Sequence, residues 1–223
     1  MKQLFLLVAL FVAACANPKP DFSWADAAHR PQWEAAAATY CHLPRLLARC
    51  RAASRVEVFE GLPHDKWDKV GLARESKRAD TFLNHDFRFY SPAMQLLSAQ
   101  RSKILSSVIR DSSYRAWRGP KWCGGFHPDL LVRFHLESGV IDLHLCFGCS
   151  EAKLFDGSTL AHVNVRESVA DELERVQQAC RTKRPAPEQS PASWPLSEHE
   201  QEGNRENVID SLLRSTQPWP NHP

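Results

Sequence analysis

The sequence lacks three features that would point to common classes of function. Its 28 basic and 26 acidic residues leave a formal net charge of only +2, and no long basic run offers an electrostatic surface for nucleic acid. Beyond the amino-terminal segment, no apolar run approaches the roughly 20 residues that a membrane-spanning helix needs. The G-x-S-x-G, H-E-x-x-H and G-x-G-x-x-G signatures of hydrolases, metalloproteases and dinucleotide-binding enzymes are also missing. A nucleic-acid partner and these catalytic classes are therefore not expected.

The composition is that of an ordinary soluble globular protein. With 43% apolar and 24% charged residues, the 223-residue chain is long enough to bury a sizeable core. No internal repeat recurs at a fixed period, so solenoids and propellers are not expected. The 15 prolines and seven cysteines are the unusual counts, and both are localised.

The first segment has the pattern of an export signal. Lys2 gives a short positive region, and residues 4–14 form an unbroken apolar stretch of eleven residues, which is too short to span a bilayer. The end of the stretch, Val12-Ala13-Ala14-Cys15, resembles the lipobox of bacterial lipoproteins. This resemblance implies cleavage before Cys15, diacylation of its sulfur and acylation of the new amino terminus, with fatty acids such as palmitate.

The resemblance predicts a signal peptide over 1–14, an anchor and linker over 15–23, and a domain tethered to a membrane face in the cell envelope. Two or more acyl chains give stable attachment. The alternative is ordinary secretory cleavage at the small residues around Cys15. An envelope protein is a further possible partner besides the membrane.

Six cysteines remain after the anchor, and in an exported chain an even number first indicates disulfides. They are Cys41, Cys50, Cys123, Cys146, Cys149 and Cys180. Their pairing cannot be deduced from the sequence. A bond between Cys41 and Cys50 would close a small loop, and two buried thiols are the alternative for that pair.

Residues 24–184 are predicted to form a single α+β domain. Pro31 begins an Ala-rich helical pattern, and Pro44 separates it from a second helical piece over 45–53. Ser91 before Pro92 predicts the start of a third helix, which runs to about residue 110. Asn164 is expected to cap a fourth helix, whose apolar stripe ends at Cys180.

Strand patterns occur in three places. Residues 55–60 alternate charged and apolar side chains, and 87–90 form a weaker second strand. The segments 126–136 and 140–149 predict a hairpin, because both alternate on either side of Ser138 and Gly139. A tight turn at these two residues would pair Phe134 with Leu143, so that both apolar sets face one core. The sequence thus predicts a small antiparallel sheet, stabilised by disulfides and packed against two or three helices.

The chain from 185 to 223 holds seven of the 15 prolines and few aliphatic residues. A segment with few aliphatic residues buries too little apolar surface to offset the conformational entropy lost on folding, so this tail is expected to be largely disordered. Residues 208–213 are the exception, because they could form an amphipathic turn that docks on the body or on a partner.

One cluster of residues could carry chemistry. The predicted hairpin brings together Cys123, His127, Cys146 and Cys149, which match the ligand set of a tetrahedral zinc site. Structural disulfides are the main alternative, because an oxidising compartment converts neighbouring thiols to disulfides. Thiol exchange by the Cys146-x-x-Cys149 pair is a third reading, but this pair ends a strand instead of opening a helix, and residues 150–153 are only weakly helical.

The polar side of the hairpin is predicted to place His135 opposite Asp142 and Arg133 opposite His144. A histidine opposite a carboxylate could act as a general base, but no serine or thiol has an argued position beside it. A solvated face with cross-strand ion pairs is the simpler reading. The sequence therefore favours a structural or binding role without cofactor over catalysis, with metal binding or thiol redox chemistry as the alternative.

Overall fold

The computed structural model describes residues 20–185, except for 24, 26, 67 and 120–124. The predicted signal peptide, the anchor Cys15, the cluster residue Cys123 and the predicted tail beyond residue 185 lie outside the described residues. What the sequence says about them stays a prediction. None of the helices in the described ranges is long and apolar enough to cross a membrane.

The fold is mixed α+β, as predicted, with a six-stranded antiparallel sheet in the order β1-β5-β6-β7-β8-β4 and a separate hairpin of β2 and β3. The strands are β1 Arg55–Glu60, β2 Thr81–Asn84, β3 Phe87–Tyr90, β4 Tyr114–Ala116, β5 Leu130–Leu136, β6 Gly139–Cys146, β7 Glu151–Asp156 and β8 Thr159–Val165. The α-helices are α1 Arg30–Ala38, α2 Leu43–Arg51, α3 Lys69–Glu75, α4 Ser98–Val108 and α5 Glu167–Cys180.

The first face of the sheet, which carries one parity of side chains along each strand, packs against α2, α4 and α5. Alternate residues of each strand point to this face, and the helices bury them fully or almost fully. They include Val58, Val132, Phe134, Ile141, Leu143, Leu154, Ala161 and Val163. The helices contribute Leu46, Leu47, Ile104, Val108 and Leu173. Burial of these apolar groups is the main term that holds the helices to the sheet.

The first two helices follow the proline pattern. Pro31 lies in the first turn of α1, and Pro44 lies in the first turn of α2 after a short 3-10 segment at Thr39–His42. Proline fits there because the first amides of a helix have no partner within the helix. The stripe predicted to end at Cys180 also packs on the core, through the buried Leu173 and the partly buried Val176.

Two predicted helix starts are wrong. Residues 91–97 form no helix, because this segment runs along the outer edge of β1, where Met94 N–H donates to Val58 O at 2.7 Å. The helix begins only at Ser98. Leu97 is its N-cap residue, and the N–H of Leu97 donates to Gln100 Oε1 at 2.9 Å. Asn164 does not cap α5, because β8 extends to Val165. Its side-chain oxygen accepts from the Arg118 N–H instead.

The central hairpin has the predicted faces but a different register. Phe134 lies opposite Ile141 instead of Leu143, and Leu136 pairs with Gly139. The loop is therefore residues 137–138, one position earlier than predicted. A shift of two residues keeps every side chain on its face, so hydrophobic alternation cannot distinguish the two registers and the turn decides.

The β2–β3 hairpin covers part of the other side of the sheet. Phe89 of β3 is fully buried and packs with Phe59 and Leu131 in a second apolar cluster. An isolated bridge between Phe89 and Gly61 joins β3 to the chain just after β1. The sheet therefore has a large apolar core on its first face and a shorter, partly aromatic cover on its second.

The predicted disulfide framework is wrong for four cysteines, because Cys41, Cys50, Cys146 and Cys180 are thiols. Cys41 and Cys50 are nine positions apart along consecutive helical segments, or roughly 13 Å at the α-helical rise, which is beyond the reach of a disulfide. Cys50 is buried in the main core instead. Cys149 is disulfide-bonded, and no disulfide joins two of the described cysteines.

Candidate functional site

The second face of the sheet carries an unusual number of buried polar side chains. Three rows of residues cross it, each made of directly opposed positions on neighbouring strands. The rows are Glu57-Arg133-Asp142-Phe155-Leu160, Phe59-Leu131-His144-Lys153-His162, and Cys146-Glu151-Asn164. The polar side chains in these rows contribute little to an apolar core, and each buried polar group needs a hydrogen-bond partner.

Asp142 is the centre of the first row. Its carboxylate accepts two hydrogen bonds from Arg133, at 2.7 and 3.1 Å, and one from Asn84 Nδ2 at 2.8 Å. Burial raises the pKa of this carboxyl, but the hydrogen bonds from Arg133 and Asn84 outweigh it, so that the pKa lies below its usual range. Asp142 is therefore a satisfied structural anion that binds the tip of the β2–β3 hairpin.

His144 is fully buried in the second row. Its Nε2 lies 2.5 Å from Asn84 Oδ1, and the rings of Phe89 and Phe155 lie 5.0 Å from its own ring, centroid to centroid. Burial, together with the nearby His85, lowers the pKa of His144 from 6.5 to about 3. The ring is therefore neutral at physiological pH. Its second nitrogen, Nδ1, is buried without a hydrogen-bond partner among the described residues.

The buried Glu151 pairs with His162, which is partly buried. The Glu151 carboxylate lies 3.1 Å from His162 Nε2 and accepts a hydrogen bond from Trp117 Nε1 at 3.0 Å. The Trp117 ring covers His162, with the ring centroids 4.9 Å apart, and Phe126 approaches it edge-on. Both oxygens of this carboxylate are thus engaged, and the histidine is held between two aromatic rings.

Lys153 lies between the two histidines of the second row, directly opposite His144 on one side and His162 on the other. Its amine lies 4.4 Å from the centroid of the Phe126 ring. No hydrogen bond or ion pair joins this amine to any other described residue. Burial lowers the pKa of Lys153, against the opposing fields of Glu151 and Asp86. Half-buried lysines without a counter-ion are unusual, because desolvation of a charge is costly.

The predicted polar ladder is corrected by the register. His135 lies opposite Val140 and pairs with Glu57 Oε2 at 2.6 Å, whereas Asp142 lies opposite Arg133. The histidine and the carboxylate that could have formed a general-base pair are therefore not together. Arg133 contacts Asp142 and not His144, because the shift of two residues moves every partner along the strand.

The predicted zinc ligands have other partners. Cys123 lies outside the described residues, and Cys149 is disulfide-bonded and so is not a thiolate. His127 Nε2 donates to Leu62 O at 2.9 Å, and burial raises the pKa of the Cys146 thiol to about 12. The described residues contain no group of three or more histidine, cysteine or acidic side chains placed to hold a metal. Metal binding at this corner stays a prediction, as does thiol exchange.

The two halves of that corner do meet. Asp129 N–H donates to Leu145 O at 2.7 Å, and Asp129 Oδ2 accepts from the N–H of Phe147 at 2.9 Å. The sulfur of Cys149 lies 3.3 Å from the carbonyl oxygen of Gly125. Asp129 also pairs with Arg184 Nη1 at 2.7 Å, which fixes the end of the described chain beside the corner.

Sequence reasoning missed the Lys153 group. Residues 150–153 are weakly helical by pattern, so Lys153 is not expected on a sheet face, yet β7 begins at Glu151 and includes it. One signal was available: residues 151–156 and 159–165 flank the turn residues Asp156 and Gly157 and form a second hairpin. That pairing places His162 opposite Lys153. Comparisons of the chain with protein-family models, with curated proteins and with solved structures give no match.

Proposed function

We propose that this chain is an exported, lipid-anchored cell-envelope protein whose folded body has a binding role, with its ligand taken at the second face of the sheet. The location rests on the sequence of the first segment. The charged Lys2, the short apolar stretch and the resemblance of residues 12–15 to a lipobox support export and acylation at Cys15.

The observation that carries the binding role is the position of Lys153. Its amine is half-buried on the sheet and has no described counter-ion, while the neighbouring Glu151 and Asp142 carboxylates are already engaged. A fold gains nothing from desolvating an unpaired cation, so such a group fits a binding site better than a structural role. No nucleophile with an activating base accompanies it among the described contacts, so binding is favoured over catalysis.

The start of the folded body supports a short tether. Phe22 is 3% exposed and packs with Trp33 and Trp117. Phe22 follows Cys15 by seven positions, and an extended chain spans about 3.4 Å per residue, so the body would lie within about 25 Å of its anchor. A ligand-binding domain so close to a bilayer would act at the membrane surface.

Expression of the full chain in a bacterium, followed by membrane fractionation and mass spectrometry of the amino-terminal peptide, tests the anchor. We expect the wild-type chain in the membrane fraction, with a peptide that begins at Cys15 and carries acyl chains. The Cys15→Ser chain should appear in the soluble fraction or keep its first 14 residues. An unacylated, soluble wild-type chain cleaved beside Cys15 would support ordinary secretion and overturn the anchor.

A further inference from the structure

We propose that Lys153 is the anion-binding residue of a site for a small ligand that carries a carboxylate or phosphate group. This inference rests on the proposed function, because it assigns a ligand class to the same face of the sheet. Lys153 is placed firmly: it lies in the middle of β7, opposite His144 of β6 and His162 of β8. A side chain on a central strand has little freedom to move toward a distant counter-ion.

Among the described residues, no carboxylate forms an ion pair with this amine. Glu151 and Asp86 act on it only through their fields, which raise its pKa. The Glu151 carboxylate is two positions away on the same face, but its oxygens are occupied by Trp117 Nε1 at 3.0 Å and by His162 Nε2 at 3.1 Å. These contacts aim the carboxylate toward His162 of β8 and toward Trp117, the residue after β4, and no ion pair joins it to Lys153. The only described partner of the amine is the face of the Phe126 ring, which attracts a cation weakly.

A carboxylate on the neighbouring strand is also engaged elsewhere. Asp142 lies one strand and one row away, and it accepts hydrogen bonds from Arg133 and from Asn84. Arg133 and Asp142 neutralise each other, and the pKa of His144 is about 3, so that this histidine is uncharged. The positive charge of Lys153 is therefore not cancelled within its row.

The surroundings of the amine restrict the ligand. Phe126 lies over Lys153, and the rings of Phe87 and Phe155 lie around the neighbouring His144, at 5.8 and 5.0 Å between centroids. Aromatic walls around one cation suit a compact anion, and no second cation lies over the Phe126 ring in the described part of the chain. An anion at Lys153 would gain a charge-assisted hydrogen bond in a partly desolvated setting.

Titration calorimetry of the full chain carrying Cys15→Ser, with sodium benzoate and with inorganic phosphate, tests the site. We expect at least one of the two anions to bind at concentrations up to about 10 mM, since a single ion pair supports millimolar affinity. Binding of phosphate alone identifies a phosphate group, and binding of benzoate alone identifies a carboxylate. Lys153→Met should weaken the binding at least about tenfold.

Two further variants make the test specific. Lys153→Arg keeps the charge and should keep most of the affinity. Lys103→Met removes a different lysine, whose amine lies 3.1 Å from Glu172 on the surface, and should bind like the parent. Circular dichroism confirms that each variant folds. Equal binding by Lys153→Met and the parent, or no binding of either anion, overturns the inference. The acylation of Cys15 is measured separately, so either proposal can fail alone.

Discussion

Asn84 Oδ1 lies 2.5 Å from His144 Nε2, and this contact fixes the proton on the histidine. The amide nitrogen of Asn84 donates to Asp142, which only accepts, so its oxygen must accept from His144. His144 therefore carries its proton on Nε2, and Nδ1 has none. One side chain at the tip of the β2–β3 hairpin thus binds two residues of the sheet and selects a histidine tautomer.

Replacing Asn84 with alanine should loosen the hairpin. The change removes both hydrogen bonds and leaves the buried Nε2–H of His144 without an acceptor. An unsatisfied buried polar group costs about 1–3 kcal/mol. We therefore expect Asn84→Ala to lower the free energy of unfolding by about 2 kcal/mol in urea titrations. Hydrogen exchange of the amides in residues 82–88 should become faster.

The adjacent Leu83→Ala variant is a matched control for Asn84→Ala. Leu83 is 63% exposed, so its truncation should change stability by no more than about 0.5 kcal/mol. If Asn84→Ala and Leu83→Ala are equally stable, the amide does not hold the hairpin to the sheet.

The low pKa of His144 should make stability depend on pH. The unfolded chain takes up a proton at this histidine near pH 6.5, whereas the folded chain does so only near pH 3. In that interval the unfolded state binds more protons, so the free energy of unfolding should fall as the pH falls. The slope owed to one such group is up to about 1.4 kcal/mol per pH unit. Urea titrations between pH 4 and pH 8 measure it.

The His144→Phe variant separates this linkage from packing. Burial also lowers the pKa of His64 and of His127, so some slope should remain in the variant. At pH 8 the linkage is absent, and the difference between the two chains there reports packing and the lost hydrogen bond. Identical slopes below pH 6.5 in the variant and the parent would show that His144 does not carry the effect.

Much of the local structure follows from the sequence, because periodicity and proline position report which side chains face the core. β1 has its predicted bounds over Arg55–Glu60, and the central hairpin has the predicted faces. The register is different because a slip of two residues buries the same side chains. The helix expected after Pro92 is absent because Met94 binds the β1 edge, a tertiary contact that local pattern does not contain.

The candidate site could not be predicted from local pattern in the same way. The neighbours of Lys153 are His144 and His162, which lie opposite it on two other strands. Predicting this site therefore requires the register of three strands. The predicted Cys and His cluster rested on residue types and on the register of the predicted hairpin, which differs in the structure. In the structure His127 donates a hydrogen bond to the carbonyl oxygen of Leu62, and Cys146 is a buried thiol.

Chemical labelling can show which cysteines are free thiols. Alkylation of the denatured, unreduced Cys15→Ser chain should label Cys41, Cys50, Cys146 and Cys180 and leave Cys149 unlabelled. In the native chain Cys146 should react slowly, because it is 2% exposed and burial raises the pKa of its thiol to about 12. Peptide mapping by mass spectrometry locates the labels. Absence of label from all six residues would establish the fully paired framework that the structure does not support.

Gly61 and Gly148 predict opposite responses to the same substitution. A Cβ at Gly61 would lie 2.0 Å from the carbonyl oxygen of Pro128 and 3.1 Å from the carbonyl carbon of Asp129, both of them backbone atoms. The backbones are held at this distance by the hydrogen bond from Gly61 N–H to Asp129 O at 2.8 Å. Gly61→Ala should therefore push β1 away from β5.

We expect Gly61→Ala to lose about 2–4 kcal/mol of stability, in the range of overpacked or strained core sites. Gly148→Ala is the matched control: no atom of the described residues lies within 4 Å of its Cβ position, and the new methyl group should change stability by less than about 1 kcal/mol. Thermal unfolding followed by circular dichroism measures both. A Gly61→Ala protein as stable as Gly148→Ala would mean that the backbones of Gly61 and Pro128 do not approach each other this closely.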